Sequence, residues 1–193
     1  MDIGVEVSWS ERKSREYPRH MDEGLTFAVF GMRSTAKALG GQETDWELLQ
    51  GKTVLDLACG SRRVPRLDRS RSRGGFPPYY CLLCAKAGAD VWGVDIFDCD
   101  PKDEGIYHHI TADIIQAVLS ETQLSGIPGI AGLKFDVIHS LRFADDNFPP
   151  DVIDQLKMMH LRSDDLLEKI QQQSKELLKP GGVFVTMHKV FKI

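Results

Sequence analysis

The chain has few of the features that mark export, membrane embedding or bulk charge. Its longest unbroken apolar run is about seven residues, around Tyr79–Ala85, against the roughly 20 that a membrane helix needs. Met1 to Arg15 is polar and charged and has no apolar core of a signal segment. Cysteine is scarce, with 4 in 193 residues, too few for a disulfide scaffold in a chain this size. Positive charge is not in excess: Lys+Arg is 24, Asp+Glu is 28 and the net charge is -4, which argues against indiscriminate coating of nucleic acid. No internal repeat is visible. The expectation is a cytoplasmic chain without a membrane. What is present suits a core: 42% hydrophobic and 27% charged residues, at a length that allows one domain of the usual ~100–200 residues.

Cys81 and Cys84 form a C-x-x-C, a spacing that can serve redox chemistry or half of a zinc site. No second C-x-x-C exists, and Tyr80-Cys81-Leu82-Leu83-Cys84-Ala85 reads as the buried face of a helix, where cysteine is a small apolar residue. Strands alternate with helices along the chain, which predicts a parallel sheet covered on both faces. Thr44 with Glu47 reads as a capping box before a short helix that stops at Gly51. Strands are predicted over Lys52–Ala58, Asp90–Asp95, Ile106–Ile110, Phe135–His139 and Val183–Met187. A helix begins near Pro77-Pro78 and ends at Gly88, and a long one is capped by Ser163 and ends at Lys179-Pro180-Gly181-Gly182. Residues 1–51 are expected as a helical segment or lid and 52–193 as the main domain.

In doubly wound folds ligands bind outside the carboxyl ends of the strands. Asp56 to Ser61, Asp95, Asp113 and His139-Ser140 all fall at such ends. Glycine after the first strand lets a ligand approach the backbone. Asp95 is placed to bridge two ribose hydroxyls, and Asp113 to accept from an adenine amino group. Together they outline a site for an adenosine-bearing ligand.

Val54-Leu55-Asp56-Leu57-Ala58-Cys59-Gly60-Ser61 resembles the first motif of the class I S-adenosylmethionine-dependent methyltransferases. Ala87-Gly88-Ala89-Asp90-Val91-Trp92-Gly93-Val94-Asp95 is similar to the family's second strand with its ribose acid. Thr111-Ala112-Asp113-Ile114 resembles the adenine turn, and Phe135-Asp136-Val137-Ile138-His139-Ser140 the fourth strand. Leu177-Leu178-Lys179-Pro180-Gly181-Gly182-Val183-Phe184-Val185 is close to the helix-to-fifth-strand signature. The resemblance spans Val54 to Met187. It implies a three-layer α/β sandwich, Rossmann-like, with a doubly wound, mainly parallel sheet in the order 3-2-1-4-5, and S-adenosyl-L-methionine as cofactor. Ala58, Cys59, Gly60 and Ser61 would cradle the methionine portion, with Asp56 near its ammonium. Asp95 would take the ribose, Asp113 and Ile114 the adenine. Ile96 and His139 complete the expected contacts. A nicotinamide dinucleotide fold expects G-x-G-x-x-G with no acid just before the first glycine; Asp56 stands there, and the first glycine position is Ala58.

Two departures from the family pattern matter. Position 62, where another glycine is expected, is Arg62, and residues 62–73 hold six arginines and one aspartate. Removing them brings Gly74 onto the missing position, so 62–73 reads as a solvent-exposed insertion of charge +5 that leaves -9 on the rest. The family's last two strands are also missing, through a minimal architecture or truncation. The fifth strand would then be an edge partly blunted by Lys189 and Lys192, and a possible homodimer contact.

No catalytic motif stands out, since methyl transfer is an in-line displacement that positioning can serve. His139 and His188 are the candidate bases. The aromatic-proline signature of amino-group DNA methylation is absent where Ser140-Leu141-Arg142-Phe143 stands. His108 and His109 point to opposite faces of a strand, so no metal is expected. The activity expected is methyl transfer to a small molecule or other acceptor. The alternatives are an RNA or DNA methyltransferase using the arginines of 62–73 on phosphates, and a degenerate, non-catalytic cofactor-fold module acting as an interaction partner.

Overall fold

The computed structural model describes residues 23–60, 77–140, 150–186 and 190–192. The elements run α1 (Glu23–Ala38), β1 (Thr53–Leu57), α2 (Tyr79–Lys86), β2 (Asp90–Asp95), β3 (His108–Thr111) and α3 (Ile114–Leu119). Then follow β4 (Phe135–Ser140), α4 (Pro150–Met158), α5 (Ser163–Leu177), β5 (Leu178–Thr186) and β6 (Val190–Lys192). The sheet order is β3-β2-β1-β4-β5-β6. The pairs among β1 to β5 are all parallel, so the expected 3-2-1-4-5 order holds. Helices cover both faces, a doubly wound, Rossmann-like α/β sandwich.

One expectation is corrected at the edge. The fifth strand is not the outermost: β6 pairs antiparallel with it, Val183 opposite Lys192 and Val185 opposite Val190. A homodimer through a bare fifth strand therefore loses its premise over Val183–Val185.

Each interior strand is buried on both faces, so its residues read as an apolar run and not as an alternation. On one side Val54, Val137, Val183 and Val185 pack with Met32 of α1, Leu49, and Tyr80, Cys81 and Cys84 of α2. On the other, Leu55, Leu57, Val94, Ile138 and Phe184 pack with Ile114, Val118, Leu124, Leu166, Ile170 and Leu177. The C-x-x-C of α2 is part of the first core. Burial pushes the Cys81 and Cys84 thiols up, so they stay protonated and serve as packing groups. The Cys84 thiol lies 3.5 Å from Met32 Sδ.

Several local expectations shift. Thr44 does not cap the short turn Trp46–Leu49; Asp45 precedes it, and its carboxylate accepts from the Gln42 N–H at 2.8 Å. Ser163 is the first residue of α5, not its cap; Arg162 precedes it and donates its backbone N–H to Asp165 at 2.7 Å. β5 begins five residues early, at Leu178 rather than Val183, because the chain bulges through Gly181-Gly182. A Cβ on Gly182 would stand 2.9 Å from the Lys179 carbonyl and 3.1 Å from that of Phe135. The β4–β5 register shifts between Phe135 and Val137, which pack in opposite cores. Helix α4 had no forerunner in the sequence reading. Ser61, the 62–73 insertion, Gly74, His188 and Lys189 lie outside the described residues. Among the described residues no helix is long and apolar enough to cross a membrane.

Asp136 staples the amino ends of β1, β4 and β5. Its Oδ2 accepts from the Thr53 N–H at 2.8 Å, the Thr53 hydroxyl at 2.9 Å and the Lys179 ammonium at 2.9 Å. Burial alone would raise this carboxyl, but the Thr53 and Lys179 donors outweigh it and hold it below the usual carboxylate range. The stabilisation is thus complete above the ordinary carboxylate value of about 3.9 and fades as pH falls through the lower native value. Asp136→Asn should cost about 1–3 kcal/mol near neutrality, the scale for hydrogen bonds to a charged group. The gap in Tm between variant and wild type should narrow in acid; a gap independent of pH would exclude the charge as the cause.

Candidate cofactor site at the ends of β1, β2 and β3

After Leu57 the backbone turns out of the sheet through Ala58, whose φ of 60 is left-handed although it carries a Cβ, and through Gly60 at φ 86. The Cys59 N–H donates to the Val94 carbonyl at 3.1 Å, which ties this turn to β2. The Gly60 N–H donates to Asp95 Oδ2 at 3.0 Å. The other oxygen of Asp95 accepts from the Phe97 N–H at 3.1 Å. One carboxylate therefore braces the turn after β1 and the turn after β2. Strand register explains this: Leu57 pairs with Val94, so the next residues of both strands emerge side by side.

Beyond Asp95 two apolar side chains stand in solvent, Ile96 at 57% and Phe97 at 46% exposure. Their loop is fixed from β3. His109 Nε2 meets the Phe97 carbonyl at 2.9 Å while its Nδ1 meets Tyr107 Oη at 3.0 Å, and the Thr111 hydroxyl donates to Asp98 at 3.1 Å. His108 lies on the opposite face, stacked on Trp92 and 3.1 Å from Asp90. Phe97 escaped the sequence reading; an aromatic two residues after a strand-end acid was the available signal.

Asp113 follows β3 as the N-cap of α3 and accepts from the Gln116 N–H at 2.9 Å. The Ala112 N–H donates to the Asp95 carbonyl at 2.8 Å, so the two acids belong to one rim. The Ile114 side chain points into the core at 5% exposure, which leaves its backbone as the part able to meet a ligand. Cys59 is buried and burial pushes its thiol up, so it contributes shape and not a nucleophile.

Two expected site residues sit elsewhere. Asp56 and His139 are register partners on β1 and β4, and their side chains point inward beneath α1 and α2. Nδ1 of His139 lies 2.6 Å from Asp56 Oδ1, and the Cys81 thiol approaches the other oxygen at 3.6 Å. His139 is 2% exposed and Asp56 3%. His139 is accordingly a core residue, not a cleft-lining base or cofactor contact, and the Asp56 carboxylate is taken by His139. Any contact of this strand end with a ligand ammonium runs through the backbone after Asp56. What the rim offers is chemically definite: carboxylates at two strand ends, backbone turned toward the ligand, and a flat apolar surface beside them. That set accepts hydroxyl donors and covers an aromatic base.

No family model and no curated protein matches the chain. Solved structures do. The T. thermophilus 16S rRNA N2 G1207 methyltransferase RsmC, in complex with AdoMet and guanosine, is 18% identical, with 88% of this chain and 35% of that chain covered and a TM-score of 0.46. YjhP from E. coli is 15% identical over 86% of this chain and 55% of its own, TM-score 0.41. The MycE methyltransferase of the mycinamycin biosynthetic pathway, in complex with Mg, SAH and mycinamycin VI, is 13% identical over 81% and 36%, TM-score 0.40. The chain spans about a third to a half of the length of these proteins, two of which are methyltransferases with AdoMet or SAH bound.

Proposed function

We propose that this chain binds S-adenosylmethionine across the ends of β1, β2 and β3 and transfers its methyl group to a small-molecule acceptor. The observation that carries the reading is Asp95, whose carboxylate is pinned by the Gly60 N–H beside the exposed Ile96-Phe97 surface. When bound, the cofactor supplies an electrophilic sulfonium methyl. The residues do the rest by placement. Asp95 accepts from the two ribose hydroxyls; Ile96 and Phe97 cover one face of the adenine; Asp113, with the backbone of Ile114, meets its edge. Ala58, Cys59 and Gly60 hold the amino-acid end through their backbone; the expected contacts of Ser61 and Gly74 fall on residues outside those described. A displacement at carbon needs alignment more than a base, so the work asked of the described rim residues is positioning.

Gly31 of α1 meets His139 at the carboxyl end of β4, so the first turns of this helix lie toward the site. Of the expected lid residues, Met32 is in the core, while Phe27 and Phe30 are 41% and 45% exposed. These two are the apolar surface offered to an acceptor. With its four cysteines as free thiols, the chain suits a reducing compartment such as the cytoplasm.

Calorimetric titration with S-adenosylmethionine and with S-adenosylhomocysteine tests the reading. Saturable binding of both, about one per chain, is expected. Absence of heat with either, matched by an Asp95→Ala variant, would leave a non-catalytic interaction module. Steeply salt-dependent RNA or DNA binding that disappears on deletion of 62–73 would shift the acceptor to nucleic acid.

A further inference from the structure

The Asp56–His139 pair has one unused atom. Nδ1 of the ring is engaged by Asp56, the ring face is stacked on Tyr80 at 3.6 Å and 11°, but Nε2 is buried and, among the described residues, without a partner. What closes it off is α1. A Cβ on Gly31 would stand 2.4 Å from Nε2, so only a residue without a side chain fits against this edge of the ring.

Counting hydrogens shows what this contact permits. With a single hydrogen in the pair, it sits on Nδ1 and points at the carboxylate, and Nε2 presents a lone pair to a Cα–H, a weakly favourable contact. A second hydrogen can make imidazolium–carboxylate or imidazole–carboxylic acid. In the first form Nε2 carries hydrogen, and in the second it does unless the acid hydrogen sits on Oδ2, where it meets only the weakly accepting Cys81 sulfur. That N–H would face the Gly31 Cα with no acceptor, in a core where an unmet donor is costly.

The surroundings offer no relief. From β1 and the turn after it the pair faces Asp56 itself and the Cys59 thiol, from α2 Tyr80, Cys81 and Cys84, and from β5 Val185, the register partner of His139. From α1 come Gly31 and the Thr35 hydroxyl, which is engaged with Tyr80 Oη at 2.8 Å. Among the described residues no Lys or Arg lies within ion-pair distance of Asp56.

The geometry points to a proton-operated latch: α1 is seated only while Nε2 of His139 is bare, and proton uptake by the Asp56–His139 pair lifts α1 from the ends of β1 and β4. Acid unseats the helix and neutral pH seats it. The device lies in the core and stands whether or not the proposed cofactor binds.

The test is backbone hydrogen exchange of α1 relative to α5, corrected for intrinsic rates, on the full chain. Between about pH 7.5 and about pH 5.5, α1 protection should fall at least about tenfold against α5, as for one buried N–H without an acceptor. In His139→Gln, which has no titrating ring, the relative protection should not change with pH. The ring nitrogen resonances of the wild type give a second readout free of any variant: Nε2 bare where α1 is protected, carrying hydrogen where it is not. Unchanged α1 protection over the interval overturns the latch. So does a loss of protection that persists in His139→Gln, or a hydrogen on Nε2 while α1 remains protected.

Discussion

Replacing His139 by alanine is expected to destabilise the folded chain by about 3–5 kcal/mol, the scale for leaving a buried carboxylate uncompensated. Three losses add. Asp56 keeps the Cys81 thiol but loses the 2.6 Å bond to the ring while it stays in the core. The stacked contact with Tyr80 disappears. A cavity also opens beside Gly31 and Tyr80, which meet the ring at its edge and on its face. The orphaned carboxylate accounts for most of the loss, and a double-mutant cycle isolates it. Asp56→Leu combined with His139→Leu should recover much of the stability, since apolar residues of similar volume can replace a buried pair at little cost. Urea unfolding of the two single variants and the double variant gives the coupling. Additive effects would show that the two side chains do not stabilise each other.

Asp95→Ala is the second large effect, and it acts on binding. Two ribose hydroxyls on one carboxylate contribute hydrogen bonds to a charged acceptor, about 1.5–3 kcal/mol each, so affinity for S-adenosylhomocysteine should fall at least about a hundredfold. The same substitution strips the acceptor from the Gly60 and Phe97 N–H groups, loosening both turns. Asp95→Asn keeps an acceptor oxygen but loses the charge, so its affinity should fall between those of wild type and Asp95→Ala. Thermal denaturation run beside the titration separates the two contributions. A variant that loses stability yet binds as tightly as wild type would remove Asp95 from the site and leave it as a brace.

The architecture was legible because it depends on patterns that short stretches carry. Asp90–Asp95 was bounded correctly from its apolar run between Gly88 and an acid, and the order of strands followed from crossovers of one hand. The rim residues Gly60, Asp95 and Asp113 were found at the strand ends because strand ends are where runs of apolar residues stop. The Asp56–His139 pair was not legible. It exists only because β1 and β4, 83 positions apart, are adjacent with Asp56 opposite His139, and no local signal states that register. The early start of β5 was hidden for a related reason: Lys179-Pro180-Gly181-Gly182 reads as a break, yet the partner strand accepts it as a bulge. Three-residue β6 was too short to announce itself.

That last strand bears on how the protein behaves when concentrated. A sheet that ends in a long, flat strand offers a row of unmet peptide groups on which other chains can polymerise. Here one margin is β3, four residues with His108 and Thr111 in solvent, and the other is β6, three residues with Lys192 in solvent. The wide, apolar β5, nine residues long, is kept one place in from the margin over Val183–Val185. Another chain could pair along Val183–Val185 only after β6 had been peeled away, so these three residues at the rim guard that stretch of the core strand.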